Sequence, residues 1–139
     1  GSTVIGLVGG SERCAFVWAG DSRLYRFRDN TLKQLTQDHC ENEEQPLSSW
    51  SIKNANIITR AVGADDDLVL DMAILEVLAG DAFLLCSDGL DKEMSFNEIE
   101  RVLQVNPYHD IADALVNEVL ARGARDNVTV IVVVRTNAK

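Results

Sequence analysis

Ala82-Phe83-Leu84-Leu85-Cys86-Ser87-Asp88-Gly89-Leu90 decides how this sequence folds. The unbroken apolar run from Ala82 through Cys86 reads as a β-strand buried on both faces. The run stops at an acid, so Asp88 stands at the mouth of a buried strand, and Gly89 allows the chain to turn sharply behind it. A carboxylate in that position is partly desolvated and needs a cation, a metal or a cluster of N–H donors. A turn aspartate accepting backbone hydrogen bonds would meet that need by itself. The arrangement recurs twice. Phe16-Val17-Trp18-Ala19-Gly20-Asp21 is an apolar run ending in an acid, and Asp126-Asn127 opens the apolar run Val128 to Val134. The three strand-end carboxylates Asp21, Asp88 and Asp126 are therefore expected to converge at one end of a sheet. With no basic cluster beside them, they favour a hard divalent cation.

Composition narrows the classes. A chain of 139 residues holds at most one domain, and a hydrophobic share of 46% is enough for a real core. The net charge of −9 argues against nucleic acid or an anionic membrane as a partner. No stretch is long enough to span a bilayer and no signal peptide is visible. Cysteines number three, an odd count, and Cys14 and Cys86 lie inside apolar strand patterns. They read as reduced, buried thiols of a cytoplasmic protein, and their spacing fits no zinc pattern. The sequence opens inside a strand pattern at Thr3-Val4-Ile5, which suggests part of a longer protein.

Working outward, residues 3–9 and 13–20 read as strands separated by the turn Gly9-Gly10-Ser11-Glu12. Residues 23–28 alternate cleanly, Asp29-Asn30 marks a hairpin turn, and Thr31 to Leu35 returns, so residues 3–35 are expected to form one antiparallel meander. Residues 37–56 have no sustained period, carry Glu41, Glu43, Glu44 and Pro46, and read as a flap-like surface excursion pinned by Trp50. Residues 57–63 form a short apolar strand, and Asp65-Asp66-Asp67 reads as a solvated turn. Leu68 to Val77 is strand-like, with Asp71 and Ile74 breaking the alternation as a bulge would. Ser95-Phe96-Asn97-Glu98 is a capping box for a helix with Ile99, Val102 and Leu103 on one face, ended by Asn106-Pro107. A second helix from Asp110 buries Ile111, Leu115 and Val119 and stops at Gly123. Strands grouped first and helices grouped later define an α+β domain.

Laid out in this way, the sequence resembles the metal-dependent protein serine/threonine phosphatases of type 2C. The resemblance rests on Gly1-Ser2-Thr3, Gly20-Asp21-Ser22-Arg23, Leu35-Thr36-Gln37-Asp38-His39, Ile58-Thr59-Arg60-Ala61-Val62-Gly63, Ser87-Asp88-Gly89-Leu90 and Arg125-Asp126-Asn127-Val128-Thr129, all in the family's order. It implies part of a four-layer αββα sandwich, two antiparallel sheets with a C-terminal helical pair. It implies two Mn²⁺ or Mg²⁺ ions and in-line attack by a metal-activated water on a phosphorylated protein substrate. Asp88 and Asp126 match two ligands of one ion, and Asp21 matches an acid associated with a third. Residues 1–139 would be the C-terminal portion of one phosphatase domain, with the upstream half that carries the bridging acid and the phosphate-holding Arg absent. On that basis the full-length enzyme hydrolyses phosphoserine and phosphothreonine in cytoplasmic signalling, and the isolated fragment is inactive. One position departs from the family pattern: four residues after Asp88, where members often carry an acid, stands Lys92. Two other readings stand beside this one, a phosphatase-like regulatory or binding domain without turnover, and an acidic Ca²⁺- or Mg²⁺-binding β module built on Asp21, Asp88 and Asp126.

Overall fold

The computed structural model describes residues 3–39, 56–62 and 68–136, with the backbone alone at 56–62, 68 and 69. The segment 37–56, expected as a flap, lies outside the described residues except for its first positions and Asn56, and Trp50 lies outside them as well. The strands are β1 (Val4–Gly9), β2 (Arg13–Ala19), β3 (Arg23–Arg28), β4 (Thr31–Gln34), β5 (Asn56–Val62), β6 (Leu68–Glu76), β7 (Ala82–Cys86) and β8 (Val130–Val134). Between β7 and β8 lie the short helix α1 (Asp88–Asp91) and the longer α2 (Phe96–Val105) and α3 (Tyr108–Ala121). Two antiparallel sheets result, ordered β1-β2-β6-β5 and β4-β3-β7-β8, and the α+β expectation holds.

Residues 3–35 are not one meander. β2 pairs with β1 and β6, whereas β3 pairs with β4 and β7, so the chain leaves one sheet and enters the other through Gly20-Asp21-Ser22. The reason is hydrophobic. β2 turns Cys14, Phe16 and Trp18 inward, and these pack with Leu24, Leu35, Ala73, Leu75, Phe83 and Leu85 in a core between the sheets. A meander would have left that face in water, and burying each such side chain is worth about 1.5–3 kcal/mol.

The other face of the β3–β7 sheet supplies a second core. Tyr25, Phe27, Leu32, Ala82, Leu84 and Cys86 meet Leu90, Met94, Ile99, Leu103, Ile111, Leu115 and Val119 from the helices. β7 thus feeds both cores by alternate residues and is buried throughout, as its composition demands. Ser95 caps α2 in a reciprocal box with Glu98. α3 starts at Tyr108, two residues before the expected Asp110, because Pro107 supplies the extended residue that precedes the first turn. It ends where Gly123 takes a φ of +100°, a left-handed conformation that suits glycine. The bulge expected in β6 is absent: its pairing with β2 runs in unbroken register from Asp71↔Trp18 to Glu76↔Arg13.

Candidate metal and phosphate site

Register gathers the three acids. Arg23 at the start of β3 pairs with Cys86 at the end of β7, and Cys86 pairs with Val130 at the start of β8. The connections carrying Asp21, Asp88 and Asp126 therefore emerge at the same end of the sandwich.

The connection leaving β7 and the one entering β8 are locked together by the residues flanking Asp88. Ser87 donates its backbone N–H to Thr129 O at 3.0 Å, and Thr129 donates its N–H to Ser87 Oγ at 3.0 Å. Gly89 has a different task from the sharp turn expected of it. It lies buried in α1, and a Cβ there would sit 2.1 Å from Asn127 O and 3.2 Å from Val128 Cα. Glycine is required because the backbone carrying Asp126 passes directly over it.

Asp88 and Asp126 converge on one cation, and that cation is Lys92. Its Nζ lies 3.0 Å from Asp88 Oδ2 and 2.8 Å from Asp126 Oδ2. The hydrogen bond from Lys92, followed by one from the Asn127 N–H, holds the Asp126 carboxyl below the usual range. The expectation of no basic group beside these acids is thus corrected by the side chain four residues along α1's axis from Asp88, the spacing at which helical neighbours meet. Asp21, on the turn between the sheets, lies near enough to Asp88 to feel its charge. Burial, then repulsion from Asp88 and a hydrogen bond with it, pushes the Asp21 carboxyl up. Among the described residues no group of three or more His, Cys, Asp or Glu side chains is placed to hold a metal ion. Asp88 and Asp126 bring oxygen donors to one point, which suits a hard cation, and Asp21 stands beside them. Cys86 is no competitor for such an ion, since burial pushes its thiol up to about 12.

A network that the sequence reading missed surrounds the Asp21 turn. Arg23 grips Asp38 through Nε at 2.9 Å and Nη2 at 2.7 Å, donates from Nη1 to the Tyr25 hydroxyl, and lies 3.7 Å from Asp91 Oδ2. His39 receives the Gly20 N–H on Nδ1 at 3.1 Å, donates its own backbone N–H to Gly20 O, and meets Asp71 Oδ2 with Nε2 at 2.6 Å. Trp18 stacks on the His39 ring and donates its indole N–H to Gln37 O. The signal for Asp71 is its place two residues before Ala73 and four before Leu75 on the inward face of β6: where the broken alternation suggests a bulge, the structure has a buried acid, 5% exposed, with a histidine partner.

No family model matches the chain. Similarity to known proteins is nonetheless extensive. The serine/threonine phosphatase stp of Listeria welshimeri is 29% identical over 143 residues, covering 97% of this chain and 57% of that protein. The structure of PppA, described as a key regulatory component of T6SS in Pseudomonas aeruginosa, superposes with a TM-score of 0.76 at 42% identity, over 95% of this chain and 56% of that one. The catalytic domain of the serine/threonine protein phosphatase PstP in complex with two manganese ions superposes with a TM-score of 0.70 at 28% identity, over 94% and 56%. The chain belongs to the metal-dependent protein serine/threonine phosphatase family of type 2C. It spans about half the length of the relatives it matches.

Proposed function

We propose that the protein containing this chain hydrolyses phosphoserine and phosphothreonine in other proteins with the help of Mn²⁺ or Mg²⁺, and that Asp88 and Asp126 hold one ion of the pair. The observation that carries this reading is the convergence of the two carboxylates on a single positive charge, at 3.0 and 2.8 Å from Lys92 Nζ. The relatives named as serine/threonine phosphatases and the two manganese ions of PstP support it. Asp21, on the neighbouring turn, is assigned to a further ion. When bound, divalent ions acidify water and neutralise phosphoryl oxygens. The chain's own residues supply position: Ser87 and Gly89 fix the spacing of Asp88 from Asp126, and the His39–Gly20 bonds fix the turn that carries Asp21.

Two side-chain ligands leave most of an ion's coordination to water and to residues elsewhere, so we assign residues 1–139 to the C-terminal portion of one phosphatase domain completed by the rest of the protein, with 37–56 as its flap. A cytoplasmic location fits Cys14 and Cys86, the free, buried cysteines among the described residues, and a signalling role follows from the proposed reaction on phosphorylated proteins. Among the described residues no helix is long and apolar enough to cross a membrane. The second reading, a phosphatase-like domain without turnover, draws on one observation, the ammonium already seated on the carboxylate pair.

The test is phosphate release from a phosphothreonine peptide by the full-length protein with Mn²⁺, before and after chelation. Asp88→Asn removes a ligand charge with little change of shape, so activity is expected to fall at least ~100-fold while stability barely moves. Residues 1–139 alone are expected to release no phosphate. An Asp88→Asn protein with the wild-type rate, or an active fragment, overturns the assignment.

A further inference from the structure

We propose that Lys92 is a built-in counter-ion which a divalent metal must displace from Asp88 and Asp126, so that this one side chain sets the metal concentration at which the site fills. The inference rests on the reading of those two acids as ion ligands.

The geometry is that of a cation site already served. Lys92 Nζ bridges the two Oδ2 atoms at 3.0 and 2.8 Å. A hard ion would have to sit ~2.0–2.6 Å from the same oxygens, which places two positive charges within a few ångströms of each other. The ammonium and the ion therefore exclude one another.

Lys92 is built to yield. Its backbone is pinned: Arg125 Nη2 donates to Lys92 O, Arg122 Nη1 donates to the next carbonyl, Glu93 O, at 2.6 Å, and Arg125 Nε holds the Glu93 carboxylate at 2.8 Å. The carboxylate-bearing loop and the α1 end thus stay together whatever the lysine does. The side chain itself is 46% exposed and ends in a flexible four-carbon stem, so the ammonium can swing into water without moving the main chain. What the metal must overcome is two ion pairs at the surface, one to the half-buried Asp88 and one to the exposed Asp126, each weak, so the penalty on metal affinity is expected to be about 3- to 10-fold.

The experiment uses the full-length protein and Mn²⁺ as the probe. Isothermal titration calorimetry follows the binding step that Asp88→Asn removes. Lys92→Met is expected to tighten that step about 3- to 10-fold, and Lys92→Arg, which keeps the charge, is expected to stay near wild type. A second readout needs no variant: trace acetylation of Lys92 Nζ by acetic anhydride, quantified by mass spectrometry, is expected to rise when Mn²⁺ is added. Should Lys92→Met fail to fold, this labelling decides alone. Unchanged affinity in Lys92→Met, or unchanged or reduced labelling with Mn²⁺, overturns the displacement while leaving the metal site intact. Mn²⁺ binding that is indifferent to Asp88→Asn instead refutes the ion-ligand reading, and this inference with it.

Discussion

Replacing Gly89 by alanine tests how the two acid-bearing connections are held. The new Cβ would lie 2.1 Å from Asn127 O and 2.9 Å from Asn127 C, whereas real Cβ contacts essentially never fall under 3.0 Å. Both contacted atoms are backbone, so no rotamer change relieves them. Either α1 or the loop before β8 must retreat by close to an ångström. Overpacking of this kind costs about 1–3 kcal/mol. Retreat also stretches the paired bonds between Ser87 and Thr129, both 3.0 Å long, at about 1 kcal/mol each. The loss of unfolded-state entropy that alanine brings returns only about 0.4–1 kcal/mol. The expected net destabilisation is about 2–4 kcal/mol, a drop in melting temperature of about 5–15 °C. Gly9→Ala is the control, because a Cβ at Gly9 meets nothing within 4 Å while the unfolded-state term is the same. The assay is urea denaturation of both variants at neutral pH, with Mn²⁺ titration alongside. Gly89→Ala should also weaken Mn²⁺ binding, since it separates Asp88 from Asp126. If Gly89→Ala were as stable as Gly9→Ala, to within ~0.5 kcal/mol, the close packing of these connections would be wrong.

The remaining predictions concern the sandwich itself. Asp81 is 1% exposed and accepts from Arg28 Nε at 2.7 Å, Arg28 Nη2 at 2.6 Å and the Leu78 N–H at 2.9 Å. Burial alone would raise its pKa, but the bonds from Arg28 and Leu78 more than offset that and lower it. A depressed folded value means the contribution is complete above pH ~4 and vanishes as pH falls through the lowered value. Asp81→Asn should thus cost about 2–4 kcal/mol at pH 7 and progressively less below pH ~4, read from urea midpoints across that range. Leu115 is fully buried between α3 and the sheet, so Leu115→Ala should cost about 2–5 kcal/mol by the same measurement. A loss under ~1 kcal/mol would mean that α3 does not dock as described.

How much of this was legible in the sequence depends on the range of the interaction. The buried strand Ala82–Cys86, the capping box at Ser95 and the stripe Ile111, Leu115, Val119 are local patterns, and the structure reproduces them. The hairpin at Asp29-Asn30 was equally local, and both residues adopt the positive φ, 52° and 63°, that such a turn requires. What failed was partner choice. Nothing within residues 13–28 says that β2 will pair with β6 and β3 with β7, because those partners are about sixty residues away along the chain. Gly89 was noticed for the wrong reason: its freedom of φ is visible in sequence, whereas the passage of Asn127 over it is a tertiary fact. Lys92 was visible as a departure, but a position in sequence does not say that its ammonium reaches two carboxylates at once.

The acids at the site come from separate connections, so their meeting is only as firm as the sheets that deliver them. Within one sheet the delivery is strict, because a one-residue slip of β3 or β8 against β7 would turn every core side chain outward. Asp21 is the exception, since it lies on the crossing between sheets, where no ladder fixes it. There the chain uses side chains instead. Gly20 takes a φ of +104°, and a Cβ on it would strike the Thr3 side chain, so the residue that leads into β1 packs directly on the crossing. Thr3 and Ser22 join hydroxyls at 2.8 Å. His39 then ties Gly20, at the end of the first sheet's β2, to Asp71 in that sheet's β6, while Arg23, first residue of the second sheet's β3, holds Asp38 next to it. Adjacent residues Asp38 and His39 thereby brace both sides of the crossing. The segment that follows β4 is for this reason part of the site's architecture, although its bonds go to Gly20, Arg23 and Asp71 and not to Lys92: it fixes the turn that carries Asp21, where strand pairing cannot.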